Sequence, residues 1–234
     1  MAHPSIELKN FDTLTPSVIK PSRHGDLFPT CLRCIILGPS NSGKSNALLN
    51  LLLDKNGLRF EHLHIICGTL GQPKYELLRK IVTQSGVGYV ESDNPSCLTV
   101  HNLRPNSVVI YDDILTKLRG EKCVQEMFAM SRHVPADVII VSQSYISVPR
   151  TAIRENVSCI FVFAVDKQQL EHIYSEFVTD LSFNEFANMC RTVWAKAPHT
   201  FLSIFKELTV EQGKYRLYFD QFINPHDLKS INTS

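Results

Sequence analysis

The sequence predicts an α/β fold with a mainly parallel central sheet and helices on both faces. Residues 31–37, 107–111 and 137–141 are short apolar runs rich in β-branched side chains. Runs of this length are typical of strands that are buried on both faces, as in parallel sheets. Each run ends in polar residues and is followed by a segment with helical spacing, an alternation that indicates parallel strands joined by crossover helices.

The first apolar run leads into a loop that matches G-x-x-x-x-G-K-[ST]. The loop consists of Gly38, Pro39, Ser40, Asn41, Ser42, Gly43, Lys44 and Ser45. Backbone N–H groups and the positive end of the following helix favour an anionic phosphate at such a loop. We expect Lys44 to reach the β- and γ-phosphates and Ser45 to ligate Mg²⁺. An ordinary glycine–serine turn is the alternative, but the flanking strand and helix favour a nucleoside triphosphate site.

Composition limits the remaining choices. A chain of 234 residues suits one large α/β domain. No apolar run approaches the roughly 18–20 residues of a membrane helix, and residues 1–10 lack the pattern of a signal peptide. Seven cysteines, an odd number, do not suggest a disulfide framework. We therefore expect an intracellular protein without a membrane-spanning segment, whose net charge of +1 says little about its partners.

The predicted domain organisation has three parts. Residues 1–30 contain four prolines and little periodicity, so an extended arm is expected, with one short strand at residues 5–8. The arm can lie on a neighbouring subunit or on its own sheet. Residues 31–225 are expected to form a single nucleotide-hydrolysing domain, and residues 226–234 a tail.

Several further elements are predicted within the domain. Residues 62–67 and 89–90 suggest strands, and residues 201–205 and 215–219 a closing β-hairpin. A helix is expected between the first two of these strands, over residues 75–83. Its inward side chains are predicted to be Leu77, Leu78 and Ile81.

The strand at residues 107–111 ends in two acids, Asp112 and Asp113. Open α/β sheets bind ligands at the carboxyl ends of their strands. We expect Asp112 to hold Mg²⁺ through coordinated water and Asp113 to polarise the attacking water. Many ATPases have a glutamate at the second position, so the shorter Asp113 needs a closer water or a second residue. Two solvated acids capping a strand are the alternative.

A second polar strand end supplies such a residue. The run at residues 137–141 is followed by Ser142, Gln143 and Ser144. In phosphate-loop ATPases with an additional strand between the phosphate-loop strand and the acidic strand, this strand end lies beside the γ-phosphate. Gln143 is therefore predicted to hydrogen-bond both phosphate and water; in isolation it is only a loop amide. An Asn-Lys-x-Asp base-reading motif is absent from the sequence, which favours ATP over GTP.

The order of these motifs resembles that of the poxvirus-type genome-packaging ATPases of the FtsK–HerA superfamily. The segments are GPSNSGKS, VVIYDDI, SRH, DVIIVSQSY and IREN before an FVF strand, and the resemblance spans residues 32–219. It implies a RecA/FtsK–HerA-like sheet. The nucleotide residues of the family correspond to Gly43, Lys44, Ser45, Asp112, Asp113 and Gln143, and two of its arginines to Arg132 and Arg154.

The resemblance also implies what the protein does. It implies a homo-oligomeric ring, a pentamer or hexamer, that hydrolyses ATP to drive double-stranded DNA into a capsid. Capsid or portal-vertex proteins would be partners. The implied location is the virus assembly site in the host cytoplasm or nucleus, or the virion itself.

Because this subunit has no obvious arginine for its own γ-phosphate, Arg132 or Arg154 is predicted to act in trans, on the site of a neighbour. Ordinary surface arginines that pair with nearby acids remain the alternative. Cationic side chains near the nucleotide edge of the sheet are candidates for contacts with DNA phosphates. These candidates are Lys74, Lys80, Lys117, Arg119 and Lys122.

Other functions share some of these features. A cellular or plasmid DNA translocase of the same superfamily would use identical chemistry. A nucleotide-switched structural subunit that binds DNA with little turnover would accommodate Asp113 in place of a glutamate. A small-molecule phosphotransferase would leave Gln143 unexplained and would require an arginine-rich lid, which the sequence does not suggest.

Overall fold

The structure, a computed structural model, describes residues 23–114, 122–151 and 153–227. Within these ranges the chain forms a nine-stranded sheet. The strands are β1 (Arg33–Leu37), β2 (His62–Cys67), β3 (Gly88–Ser92), β4 (Ser107–Asp112), β5 (Ala136–Ser142), β6 (Cys159–Val162), β7 (Leu202–Phe205), β8 (Tyr215–Leu217) and β9 (Gln221–Phe222). The helices are α1 (Lys44–Leu53), α2 (Pro73–Gln84), α3 (Lys122–Met130), α4 (Lys167–Phe177) and α5 (Phe183–Trp194).

The strand order is β3-β2-β4-β5-β1-β6-β7-β8-β9. Strands β1 to β6 pair in parallel, and β7, β8 and β9 continue the sheet in antiparallel fashion. Strand β5 lies between β1 and β4, which is the additional-strand arrangement. The predicted fold class is therefore confirmed, including the closing hairpin of β7 and β8, to which the short β9 is added.

Two separate cores explain why the central strands are apolar along their whole length. Alternate residues of β1 point to opposite faces: Ile35 joins the core beneath α3, α4 and α5, whereas Ile36 joins the core beneath α1 and α2. Both side chains are fully buried. Helices thus cover both faces of the sheet, as the continuous apolar runs indicate.

The inward face of α2 differs from the predicted one. Leu78 is buried as expected, but Leu77 and Ile81 are exposed, and Tyr75 and Val82 complete the buried face instead. Positions 75, 78 and 82 follow the helical spacing of one stripe. Tyr75 is inward although it is not an aliphatic residue, because its ring offers at least as much apolar surface as a leucine side chain.

The residues just before β1 pack against the sheet. The Asp137 carboxylate, fully buried at the start of β5, accepts hydrogen bonds from Arg23 and from the Leu32 backbone N–H (2.7 Å), and lies 3.1 Å from Nε2 of His24. Phe28 is buried in the same core as α1. The strand expected at residues 5–8 and most of the predicted tail lie outside the described residues.

None of the helices in the described ranges is both long enough and apolar enough to cross a membrane.

Candidate functional site

Three parallel strand ends meet at one point of the sheet. Leu37 at the end of β1 pairs with Ser142 of β5, and Asp112 at the end of β4 pairs with Val141 of β5. The phosphate loop begins at Gly38, directly after β1, and the Gly38 N–H donates to the Ser142 carbonyl at 3.2 Å. This register brings the loop, the two acids and Gln143 to the same edge.

The loop has the backbone geometry of an anion site. Asn41 (φ 60°) and Gly43 (φ 105°) adopt left-handed conformations, and α1 begins directly after Gly43 without a side-chain cap. Its first N–H groups are therefore open to an anion. Among the described residues the buried Oγ of Ser42 also has no hydrogen-bond partner.

Lys44 closes over this loop. Its Nζ donates to the Gly38 and Pro39 carbonyls, each at 2.7 Å. Burial lowers the pKa of Lys44, and the nearby charges of Asp112 and Asp113 oppose that shift. The ammonium group thus lies in the loop beside two acids, where it can bind a phosphate.

Asp112 is held by a residue that the sequence did not single out. The Tyr75 hydroxyl on α2 donates to Oδ2 of Asp112 at 2.5 Å. Burial raises the pKa of Asp112, the Tyr75 hydrogen bond lowers it, and the charge of Asp113 raises it further. A half-buried carboxylate fixed by one hydrogen bond, with a serine of the loop lining the same cleft, fits a Mg²⁺ ion shared with phosphate oxygens. Ser45 and Asp112 would hold that ion.

Asp113 occupies a turn at the end of the strand. Its φ is 51°, a left-handed conformation that aspartate tolerates better than most residues. A Cβ on Gly68, at the end of β2, would lie 2.9 Å from the Asp113 carbonyl, so the turn depends on a glycine there. The Asp113 side chain is exposed and lines the cleft.

Gln143 also lines the cleft, and hydrogen bonds hold the backbone that follows it. The next residues turn back, with the Ser144 N–H donating to Oγ of Ser142 at 3.0 Å and the Tyr145 N–H to Oε1 of Gln169 at 2.9 Å. The exposed amide of Gln143 therefore projects from a fixed backbone.

Together these residues line a cavity of about 370 Å³. Its lining comprises Ser40, Asn41, Ser42, Gly43, Lys44, Ser45, Asn46, Gln72, Lys74, Asp112, Asp113, Val141, Gln143 and His199. We call this cavity the phosphate cleft. It brings together the loop from Ser40 onward, both acids and Gln143, whereas Gly38 and Pro39 contribute the carbonyls that hold Lys44.

Two residues of the cleft, Lys74 and His199, are not among the site residues that the sequence predicts. Lys74, a candidate for DNA contact, lies in the first turn of α2, and its Nζ donates to Oδ1 of Asn46 at 3.0 Å. The available signal for Lys74 was its place at the start of the helix that follows β2, because that helix begins at the carboxyl edge of the sheet. Nδ1 of His199 lies 3.0 Å from the Ser42 carbonyl, and only the tertiary fold brings these two residues together.

The two predicted arginines lie away from the cleft, in different surroundings. Arg132 is exposed in the turn between α3 and β5, at the amino edge of the sheet. Strand β5 has seven residues, so at about 3.3 Å per residue it separates Arg132 from the phosphate edge by roughly 20 Å. Arg132 thus cannot reach the cleft of its own subunit.

Arg154 is buried, and its guanidinium group already has partners. Nη1 donates to Oε1 of Glu176 at 2.7 Å, and the group lies over the Tyr145 ring at 4.9 Å from the centroid. The Tyr145 hydroxyl donates to the other oxygen of Glu176 at 2.8 Å. In this arrangement Arg154 supports the segment that follows Gln143.

The remaining candidates for DNA contact divide into two groups. Lys80 on α2 and Lys122 at the start of α3 are exposed. Lys117 and Arg119 lie outside the described residues.

Solved structures with a similar fold include proteins of two Sulfolobus viruses. The genome packaging NTPase B204 from Sulfolobus turreted icosahedral virus 2, in complex with sulfate, matches with a TM-score of 0.58 at 14% identity, covering 84% of this chain and 100% of that chain. The same protein in complex with ATP-gammaS matches with a TM-score of 0.55, also at 14% identity and over 84% and 100% of the two chains. The DNA-packaging ATPase B204 from Sulfolobus turreted icosahedral virus matches at 15% identity with a TM-score of 0.55, over 81% and 97%. At these identities the likeness establishes the fold.

A comparison with curated proteins finds no match. A family model described as "Poxvirus A32 protein" matches residues 22–221. The match includes strands β1 to β8 and all the residues that line the phosphate cleft. The chain therefore belongs to the poxvirus A32 protein family.

Proposed function

We propose that this protein is an ATP-driven motor that translocates double-stranded viral DNA into a preformed capsid. The principal support is the meeting of Lys44, Asp112 and Gln143 in one cleft, at the ends of three neighbouring strands. The structural neighbours described as genome-packaging NTPases and the A32 family membership favour packaging over other uses of this chemistry.

In this proposal the chain positions the triphosphate and a water molecule. The loop N–H groups and Lys44 bind the β- and γ-phosphates and neutralise charge that develops as the phosphoryl group transfers. Asp113 accepts a proton from the attacking water, and the Gln143 amide orients it. When bound by Ser45 and Asp112, Mg²⁺ supplies further charge neutralisation at the phosphate oxygens.

We propose that the motor is a ring, because the cleft has no arginine of its own for the γ-phosphate and a neighbouring subunit would have to supply one. Within the described residues its lining contains Lys44 and Lys74 but no arginine. Arg132, exposed at the opposite edge of the sheet, would complete the cleft of the next subunit in the ring. An arginine supplied in this way contributes about 10³–10⁵ in rate. We place this assembly with capsid or portal-vertex proteins at the intracellular site of virus assembly.

The experiment that tests the function is ATPase rate against protein concentration, with and without long duplex DNA. We expect turnover to rise with concentration as rings form, and to rise again with DNA at low salt. Because contacts with DNA phosphates are electrostatic, the stimulation of ATPase activity by DNA should not depend on the DNA sequence. It should decline steeply as the salt concentration rises.

A variant with neutral residues at Lys117, Arg119 and Lys122 should weaken the DNA stimulation and leave basal turnover unchanged. Neutralising the exposed Lys167 and Lys196 gives a control for general loss of positive charge. If the protein forms rings and DNA does not change its ATPase rate at any protein concentration, a nucleotide-switched structural subunit would be favoured instead.

A further inference from the structure

Lys74 is a second cation of the phosphate cleft, at the start of α2. Its side chain is exposed and lines the cleft together with Lys44. Among the described residues of that lining, these two lysines supply the ammonium groups. The mechanism proposed for this site uses Lys44 and leaves Lys74 without a task.

The backbone that carries Lys74 is fixed on both sides. Pro73, the residue before it, occupies the first position of α2, where the φ angle of proline suits a helix. Tyr75, the residue after it, is buried, and its hydroxyl donates to Asp112. The backbone of Lys74 therefore keeps a set position relative to the acidic strand end, and the flexible four-carbon side chain extends from there.

The Lys74 ammonium group lies near the residues proposed to hold Mg²⁺. Its Nζ donates to Oδ1 of Asn46 at 3.0 Å, and Asn46 directly follows Ser45 in the first turn of α1. On the other side, the neighbouring Tyr75 contacts Asp112. Lys74 thus stands beside both proposed metal ligands, where the phosphate oxygens that share the ion must also lie.

The charge of Lys74 is not paired within the part of the chain that the structure describes. Its acceptor there is the neutral amide of Asn46, and no carboxylate forms an ion pair with it. Lys214, by contrast, donates to the Asp180 carboxylate at 2.6 Å. Lys44 is held as Lys74 is, by neutral carbonyl groups. A cation held by neutral acceptors keeps its charge for an anion.

The order of the strands indicates which phosphate Lys74 meets. From β1 the sheet continues with β5 and then β4, whose ends bring Gln143 and Asp112 to the cleft. The terminal phosphate, where water attacks, belongs on that side of β1. Strand β2, which leads to α2, lies next beyond β4. Lys74 therefore approaches a triphosphate from its terminal end.

We propose that Lys74 is a catalytic residue that binds the terminal phosphate of ATP within its own subunit, an inference that rests on the proposed ATPase function. Its ammonium group donates to an oxygen of the transferring phosphoryl group and neutralises the negative charge that develops there. This charge lies beside two carboxylates that repel it, so a further cation is favourable. Lys74 adds to an arginine supplied in trans, since an ammonium group does not form the paired contacts of a guanidinium group.

The test compares nucleotides with and without the terminal phosphate, by calorimetry on the full chain in the presence of Mg²⁺. Lys74→Met keeps an unbranched side chain and removes the charge. Binding of ATP-gammaS, a slowly hydrolysed analogue, should weaken by about tenfold or more, because a charge-assisted hydrogen bond is lost. Binding of ADP should stay unchanged.

Turnover gives the second measurement. Steady-state ATP hydrolysis by Lys74→Met, measured without DNA at saturating ATP, should fall by about tenfold or more. Lys74→Arg retains a cation at the same position, so it should recover part of both the ATP-gammaS affinity and the turnover. Failure of Lys74→Arg to recover either would overturn a role that depends on the positive charge.

Lys55→Met is the matched control. It makes the same change at an exposed lysine just after α1, outside the lining of the phosphate cleft. The control should leave both affinities and the turnover unchanged. Losses as large as those of Lys74→Met would indicate a general effect of positive charge and would overturn the assignment of Lys74.

The remaining outcomes separate this proposal from the ATPase function. Equal weakening of ATP-gammaS and ADP binding in a folded Lys74→Met protein would overturn the contact with the terminal phosphate. Unchanged affinities and basal turnover, with weaker stimulation by DNA, would make Lys74 a DNA contact instead. If the unaltered chain bound neither nucleotide, the phosphate cleft itself would be overturned, and the role of Lys74 with it.

Discussion

Lys44 and Asp113 have different functions in the cleft, and substitution should separate them. Lys44→Ala removes the only cation within the phosphate loop, so nucleotide affinity and hydrolysis should both be lost. Asp113→Asn keeps a side chain of the same shape but removes the proposed base, so ATP should still bind while turnover falls by about 10²-fold or more. Equilibrium binding and steady-state hydrolysis, measured on each variant, check both results.

Asp93→Asn is the matched control for the second substitution. It makes the same change from carboxylate to amide at an exposed acid just after β3, outside the lining of the phosphate cleft. The control should hydrolyse ATP at the rate of the unaltered protein. If Asp113→Asn hydrolysed ATP as fast as this control, Asp113 would lose its assigned role as the base.

The hydrogen bond from Tyr75 to Asp112 is not predictable from the sequence. Tyr75→Phe removes the hydroxyl that donates to Asp112, so the carboxylate loses the hydrogen bond that orients it. Residues that orient a metal ligand typically contribute about 10–100-fold to metal affinity. We expect the Mg²⁺ concentration for half-maximal hydrolysis to rise by about tenfold.

Tyr89→Phe is the matched control for that prediction. Its hydroxyl also donates to a carboxylate, Glu91, at 3.0 Å, but this pair lies on β3, outside the lining of the phosphate cleft. The control should leave the Mg²⁺ dependence unchanged. The same dependence in Tyr75→Phe as in the control would show that the Tyr75 hydrogen bond does not influence the metal site.

At the scale of elements, Arg154 joins α4 to the segment that follows β5. Arg154→Ala would leave Glu176 half-buried and, among the residues that the structure describes, with the Tyr145 hydroxyl as its one remaining partner. Breaking a buried ion pair costs about 3 kcal/mol. For a chain of this size that corresponds to a fall in melting temperature of roughly 6–12 °C. Thermal unfolding measures it.

Arg132→Ala is the control for this prediction, because its side chain is exposed in a turn. Surface substitutions usually change stability by less than about 0.5 kcal/mol. If Arg154→Ala melted at the same temperature as Arg132→Ala, the Glu176 ion pair would not stabilise the fold, and a role for Arg154 at a subunit interface would regain support.

At the scale of the whole molecule, the proposed ring makes each active site a property of two subunits. Arg132→Ala and Lys44→Ala should each be nearly inactive alone, since an arginine of this kind contributes about 10³–10⁵ in rate. A mixture should regain part of the activity. Some interfaces would then pair the intact loop of one variant with the intact Arg132 of the other.

ATPase assays across mixing ratios measure the recovery, and a mixture of Arg154→Ala with Lys44→Ala is the comparison. Absence of recovery at every ratio, with both variants folded and assembling, would contradict a shared site.

The sequence alone was sufficient to predict those features of the protein that depend on residues close together in the chain. The phosphate loop, the acidic strand end and Gln143 each follow an apolar strand directly, so their meeting at one sheet edge follows from parallel pairing. The two-sided burial of the strands was equally readable from their continuous apolar runs.

Only the tertiary structure decided how distant segments meet. His199 contacts Ser42 across 157 positions, and Tyr75 contacts Asp112 across 37. Arg154 and Arg132 looked alike in sequence, yet one is buried against Glu176 and the other is exposed. Such contacts depend on how distant helices and loops pack against the sheet. The spacing of residues along the chain does not specify this packing, because the fold determines which elements lie beside a given side chain.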